Sequence, residues 1–148
     1  MLALSFDTIT IRHLGPEDPH VLDRVREGTF DGPVDPSWAW RFLATGVNET
    51  VVAQSAGEVI GFASGTVIMH PDKAPQFFIN EVGVHEDFHR QGIGRRLMER
   101  LIDVARDRGC EEMWVLTESD NDAARGLYAA AGGTASTGIV MYDWSDED

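Results

Sequence analysis

The chain has 148 residues, 43% of them apolar, which suits one domain of ordinary size with its own core and argues against global disorder. Twenty-five acids against 12 bases leave a formal net charge of −13, and Lys73 is the single lysine, so nucleic acid and anionic membrane surfaces are poor partners. The opening MLALSFDTIT has no basic segment and Asp7 interrupts its apolar run, so no export signal is expected. The longest nearly apolar run, Val59 to Met69, is too short to span a bilayer, and the lone Cys110 excludes an internal disulfide.

Thr8 to Leu14 alternates apolar and polar residues and reads as a first strand. Pro16 sits where a helix can start, with Val21, Leu22 and Val25 as a short apolar face. Gly28 to Pro36 is a loop rich in breakers, and SWAWRFLATG reads as a second short helix closed by Gly46. Two strands then meet at Ala56-Gly57 in a hairpin. FFINEVGVHE is a further strand, and Gly92 to Arg108 is the strongest helix, with Ile93, Leu97, Leu101, Val104 and Ala105 on one face and Gly109 at its end. EMWVLT is nearly all apolar and is expected to be buried. Asp122 to Ala131 is a helix stopped by Gly132-Gly133, and GIVMYDW is a last strand before the acidic tail. The order strand, helix, helix, three strands, helix, strand, helix, strand predicts one α/β (α+β) domain over residues 1–148.

No Cys/His spacing resembles a metal site, and Asn48-Glu49-Thr50 reads as a chance glycosylation tripeptide in a cytoplasmic protein. The dense acid and scarce lysine fit a halophile-like surface, or the attraction of a cationic substrate. Cys110 reads as a buried structural thiol.

The positive charge gathers on one turn. HRQGIGRR, residues 89–96, lies between a strand and a long helix. A helix start offers free N–H groups and a partial positive charge, and Gly92 and Gly94 let a bulky anion approach the backbone. A helix start with solvated arginines would look the same. The dinucleotide fingerprint fails because Leu97 stands where its third glycine belongs, and the P-loop fails for want of a lysine.

The turn resembles the pyrophosphate loop of the GCN5-related N-acetyltransferases (GNAT), Arg/Gln-x-x-Gly-x-Gly/Ala, with His89 in place of the first Arg or Gln. NDAARGLYAAAGG, residues 121–133, resembles the family's Asn-x-x-Ala-x-x-x-Tyr-x-x-x-Gly signature. INEVGV, RQGIG and VMYDW together look nearest to its aminoglycoside 3-N-acetyltransferase branch. The resemblance implies a mixed sheet of six to seven strands flanked by about four helices, with strands 4 and 5 splayed apart. It implies acetyl-coenzyme A as cofactor and direct acetyl transfer to a primary amine of a small cationic acceptor, aminoglycoside-like or polyamine, within a ternary complex. A protein or peptide N-acetyltransferase and a non-catalytic coenzyme A-sensing module are the rival readings. A homodimer is possible by the same resemblance.

The cofactor would be held by Val82, Gly83 and Val84, by His89, Arg90, Gln91, Gly92, Ile93, Gly94 and Arg95, and by Asn121, Ala124 and Tyr128. Gly83 would leave a close approach open, or mark a β-bulge. Glu81 is the candidate base, on the strand face opposite Asn80 and Val82, with His85 and Glu118 as alternatives. Tyr128 is the candidate acid, its phenol protonated at neutral pH. Asp31, Asp35, Trp38, Glu81 and Glu118 are the candidate acceptor contacts, with Trp40 in the same loop. Asp143, Asp146, Glu147 and Asp148 read as solvated tail charge.

Overall fold

Strand β1 (Ile9–Leu14) lies antiparallel to β2 (Asn48–Ser55), which lies antiparallel to β3 (Glu58–Ile68). The β2–β3 hairpin turns on Ala56 and Gly57, whose φ angles are 51° and 79°. Two consecutive left-handed residues make the turn whose twist matches the paired strands. β3 pairs antiparallel with β4 (Gln76–Val84), and β4 pairs parallel with β5 (Glu112–Val115), in the sheet order β1-β2-β3-β4-β5. This computed structural model describes residues 8–146 and divides into two units, one ending at Leu116 and the other beginning at Thr117.

In the first unit, helix α1 (Pro36–Ala44) and a 3-10 turn (Pro19–Asp23) cover one sheet face, and α2 (Ile93–Asp107) covers the other. Asp35 caps α1, accepting from the backbone of Ser37 and Trp38, and Gly46 ends it at φ 78°. On that side Leu14, Val21, Leu43, Val52, Val59 and Phe62 form a core. α2 buries Ile93, Leu97, Met98, Leu101, Val104 and Ala105. Leu97 and Leu101 are fully buried and contribute about 1.5–3 kcal/mol each. Glu49 is buried where β2 begins and accepts from His13 on β1 at 2.5 Å and from Arg108 behind α2 at 2.6 Å, so one carboxylate ties β1 and the end of α2 to β2.

Two β-bulges shape the sheet. One shifts register between Ala53 and Gln54. The other lies where Ser64 pairs with Glu81 but Gly65 pairs with Ile79, leaving Asn80 as the extra residue of β4. β4 and β5 run together only from Gln76 to Ile79, and past that point no strand of this unit pairs β4 on its β5 side. That is the splay expected of strands 4 and 5.

The expected counts need correction. The described sheet has five strands, not six or seven, and three α-helices with two 3-10 turns stand in place of four helices. The region after Pro16 forms only a 3-10 turn over Pro19–Asp23. β5 is not buried: its residues alternate between exposed and half-exposed, because within this unit it has a neighbour strand on one side only. The Asn48 amide bonds the Phe42 carbonyl and Thr45, and the Thr50 hydroxyl bonds the Ala63 carbonyl.

The second unit carries α3 (Asp122–Ala130). Asn121 caps it by accepting from the Ala124 N–H at 3.0 Å, and its end closes with Gly132 at φ 97° and the Gly133 N–H on the Tyr128 carbonyl. GIVMYDW forms no strand. An alternating pattern becomes a strand only when another strand accepts its hydrogen bonds, and here Ile139 to Tyr142 are exposed. Glu147 and Asp148 of the acidic tail, and the first seven residues with Asp7, lie outside the described residues.

Candidate active site

Between β4 and α2 the chain passes through a short 3-10 turn, Glu86–Phe88, and then residues 89–92. Three contacts hold that passage. The buried His85 accepts the Asp87 N–H on Nδ1. His89 donates from Nε2 to the Val84 carbonyl at 2.7 Å, closing the end of β4. Arg26 bonds Glu58 at 2.9 Å, reaches Asp87 at 3.5 Å and lies 5.1 Å over the Phe88 ring. The passage then enters α2 through two left-handed residues, Arg90 at φ 64° and Gly92 at φ 74°.

Gly92 is the N-cap of α2 and supplies no capping side chain. A Cβ there would meet nothing within 4 Å. The first N–H groups of α2 thus have no side-chain cap, and the space beside Gly92 is open, which suits the binding of an anion. Arg90 is exposed beside them. Arg95 is paired with Glu99 at 2.7 Å, and Arg96 reaches the Ile9 carbonyl, so Arg96 braces β1. Ile93 is buried, which leaves its backbone alone for a ligand. Gln91 and Gly94 complete the turn. Gly92→Ala keeps the space but forces a Cβ into the left-handed region. Stability is expected to fall by about 1–2 kcal/mol, and coenzyme A affinity by about tenfold, as calorimetry of folding and binding would show.

A groove of about 470 Å³ opens on the α1 face of the sheet. Thr50, Phe62 and Ser64 form part of its floor, Trp38, Ala39 and Phe42 of α1 its wall, and Asn80 and Glu81 also line it. Phe30 stacks on Phe62 at 4.0 Å. The titratable groups on the lining are Asp35 and Glu81, both carboxyls, and no basic side chain of the described residues lines it.

The bulge corrects one expectation. Glu81 does not face away from Asn80; both line the groove, because the extra residue breaks the strict alternation of β4. Gly83 is not the bulge, nor does it leave open space. A Cβ there would lie 2.9 Å from the Phe62 ring and 3.1 Å from the Thr29 carbonyl, so glycine lets the Thr29 loop cross β4. Val82 and Val84 flank it, half-buried. His85 is a buried cap and does not line this groove. Asp31 is exposed and does not line the groove; Trp40 lines a smaller cavity with Pro19 and His20 instead. Asp35 lines the groove while capping α1. The Ser37 hydroxyl and the Trp38 N–H hold its carboxyl below the usual range.

In the second unit, Ala124 and Tyr128 lie on the half-buried side of α3, and burial pushes the Tyr128 phenol up. Asn121 spends its side-chain oxygen on the cap, and Glu118 is exposed. Cys110 is buried, which pushes its thiol up against the opposing charge of Arg108, as an unreactive thiol requires. The groove residue that sequence reading passed over is Asn80. Its signal, an extra residue in a strand pairing, exists only once β3 and β4 are aligned.

A sheet that opens at β4 and delivers a glycine turn to an uncapped helix is the arrangement that the resemblance of the two motifs implied. The chain belongs to the acetyltransferase (GNAT) family, whose sequence profile matches residues 20–132 and whose members use acetyl-coenzyme A. It is 35% identical to the N-alpha-acetyltransferase RimI of Mycobacterium tuberculosis over 104 residues, 69% of this chain and 62% of that one. It is 36% identical over 81 residues to the ribosomal protein bS18-alanine N-acetyltransferase of Escherichia coli, 55% of this chain and 51% of that one. The match thus spans between half and two thirds of the length of these two relatives. The aminoglycoside acetyltransferase meta-AAC0020 from an uncultured soil metagenomic sample, solved with sisomicin, shares the fold at a TM-score of 0.77 and 21% identity, over 93% of this chain and 95% of that one. The aminoglycoside N-acetyltransferase AAC(6')-Iy in complex with coenzyme A does so at 0.77 and 19%, over 97% and 99%.

Proposed function

We propose that this chain is an acetyl-coenzyme A-dependent N-acetyltransferase acting on a primary amine of a small cationic acceptor. The observation that carries this reading is the acidic groove ending at Glu81, on the strand that leads into the uncapped start of α2. The family match runs across both units, which supports reading them as one transferase domain.

The residues present fit the cofactor. Backbone N–H groups at the start of α2, with Arg90, would hold its pyrophosphate. Val82 to Val84 have no strand beside them on one side within their unit and would bond its extended arm by strand addition, through groups other than the Val84 carbonyl that His89 holds. The bound cofactor supplies the acetyl group as a thioester. Glu81 takes a proton from the acceptor ammonium, directly or through water, so that the nitrogen lone pair is free to attack. A backbone N–H of Val82 or Val84 donates to the carbonyl oxygen as charge develops there. Tyr128 donates its phenolic proton to the departing thiolate. Asp35 and Trp38 attract the cationic acceptor.

A second acceptor class, the α-amine of a protein N-terminus, is favoured by the relatives that share 35–36% identity. Thiol release from acetyl-coenzyme A, measured with sisomicin, spermidine and an Ala-initiated peptide at low and high salt, separates the two. Release with sisomicin or spermidine supports the small-amine reading. Release with the peptide alone transfers the acceptor to the second class. Tight coenzyme A binding without turnover on any of them, in either salt, overturns the enzyme reading in favour of a sensing module.

A further inference from the structure

Asn80 is the bulged residue of β4, exposed at the groove next to Glu81. Its side chain belongs to a hydrogen-bonded chain that crosses the sheet to α1. Asn80 Nδ2 donates to Thr66 Oγ1 at 3.1 Å, Thr66 Oγ1 donates to Asn48 Oδ1 at 2.9 Å, and Asn48 Nδ2 donates to the Phe42 carbonyl at 3.2 Å and to Thr45 Oγ1 at 3.0 Å.

The direction of this chain is set at its far end. The Phe42 carbonyl can only accept, so it takes the Asn48 NH2 group and leaves Asn48 Oδ1 toward Thr66. A hydroxyl has one hydrogen, and that of Thr66 goes to Asn48 Oδ1. Thr66 Oγ1 is then an acceptor toward Asn80, which must turn its NH2 group inward. Asn80 Oδ1 is left without a protein partner among the described residues. The groove therefore presents an amide oxygen of fixed orientation beside a carboxylate, and the donor left on this pair of side chains is the second N–H of the Asn80 amide, on the nitrogen that Thr66 holds inward.

We infer that Asn80 is a recognition residue for the acceptor, its Oδ1 taking an N–H of the amine that Glu81 deprotonates. This rests on the N-acetyltransferase reading above. A primary ammonium carries three N–H donors, so it satisfies Asn80 and Glu81 together and still has one to spare. A group with a single N–H cannot. The relay through Thr66 to Asn48 is then a positioning device, which prevents the amide from turning its NH2 group on the incoming cation.

The test uses the full chain with acetyl-coenzyme A and spermidine, sisomicin or an Ala-initiated peptide as acceptor, with KM measured separately for each substrate. Asn80→Leu removes the oxygen, and acceptor KM is expected to rise about tenfold, the loss of one hydrogen bond to a charged group, with KM for acetyl-coenzyme A unchanged. Asn80→Asp keeps an acceptor atom and should stay near wild type. Thr66→Val cuts the relay while leaving Asn80 in place, and should raise acceptor KM about threefold by letting the amide turn. An unchanged acceptor KM in both Asn80→Leu and Thr66→Val overturns the inference while leaving the acetyltransferase reading intact. So does an equal rise in KM for both substrates accompanied by a lowered melting temperature, since that is the signature of structural damage. Wild-type protein without turnover on any of the three acceptors overturns the functional reading and the inference with it.

Discussion

Tyr128→Phe is expected to lower kcat by about 10²-fold or more, the scale of a lost general acid, while coenzyme A binding changes by less than about twofold. The substitution removes one oxygen and keeps the ring on the half-buried side of α3. On the proposed mechanism a transition-state contact is lost while ground-state packing is retained. The pH profile gives a second readout. An acid must be protonated to act, and burial raises the Tyr128 phenol above its ordinary value of 10.0. Its loss as a donor thus comes only above pH 10. Below that, the wild-type rate should climb with pH as more of the acceptor amine becomes neutral. In the Phe variant the low rate should keep this climb and lose the fall above pH 10. A kcat within about twofold of wild type would remove Tyr128 from the chemistry.

Gly65→Ala is expected to cause the largest loss of stability, about 3 kcal/mol and occasionally more for an overpacked core. A Cβ at residue 65 would press into two carbons of the Phe77 ring and lie 2.7 Å from the Phe78 carbonyl. Neither can yield. Phe77 is fully buried and the carbonyl belongs to the β3–β4 pairing. The gain from a stiffer unfolded chain, about 0.4–1 kcal/mol, is too small to offset this. For a chain of this size the melting temperature should fall by roughly 6–12 °C. Because Gly65 sits at the bulge that sets Asn80 and Glu81, acceptor KM should rise in the protein that still folds. Thermal unfolding with an unchanged midpoint would show that the bulge is looser than its geometry. Gly92→Ala gives the contrast: its cost is backbone conformation alone, and it bears on the cofactor turn rather than the core.

What the sequence determined by itself is local. The N-cap at Asn121, the hairpin at Ala56-Gly57, the apolar stripe of α2 and the glycine turn at its start each depend on a few adjacent residues. Their chemistry is readable wherever the chain goes. The two motifs that carry the family resemblance are of this kind.

What only the tertiary structure decided depends on pairing between distant segments. A bulge is a mismatch between two strands, so neither strand reveals it alone. The one at Asn80 turned Asn80 and Glu81 to the same groove and overruled strict alternation. Gly83 looked like an opening for a ligand until Phe62 and the Thr29 carbonyl were found against it. EMWVLT and GIVMYDW have strand composition, yet one is a half-exposed edge and the other forms no strand, because composition supplies side chains while a ladder needs a partner. His89 stands where the family pattern has Arg or Gln, and no spacing rule foretold that its ring would bond the Val84 carbonyl. Local chemistry is written along the chain, but which side chains share a groove is settled only when strands far apart in sequence choose their register.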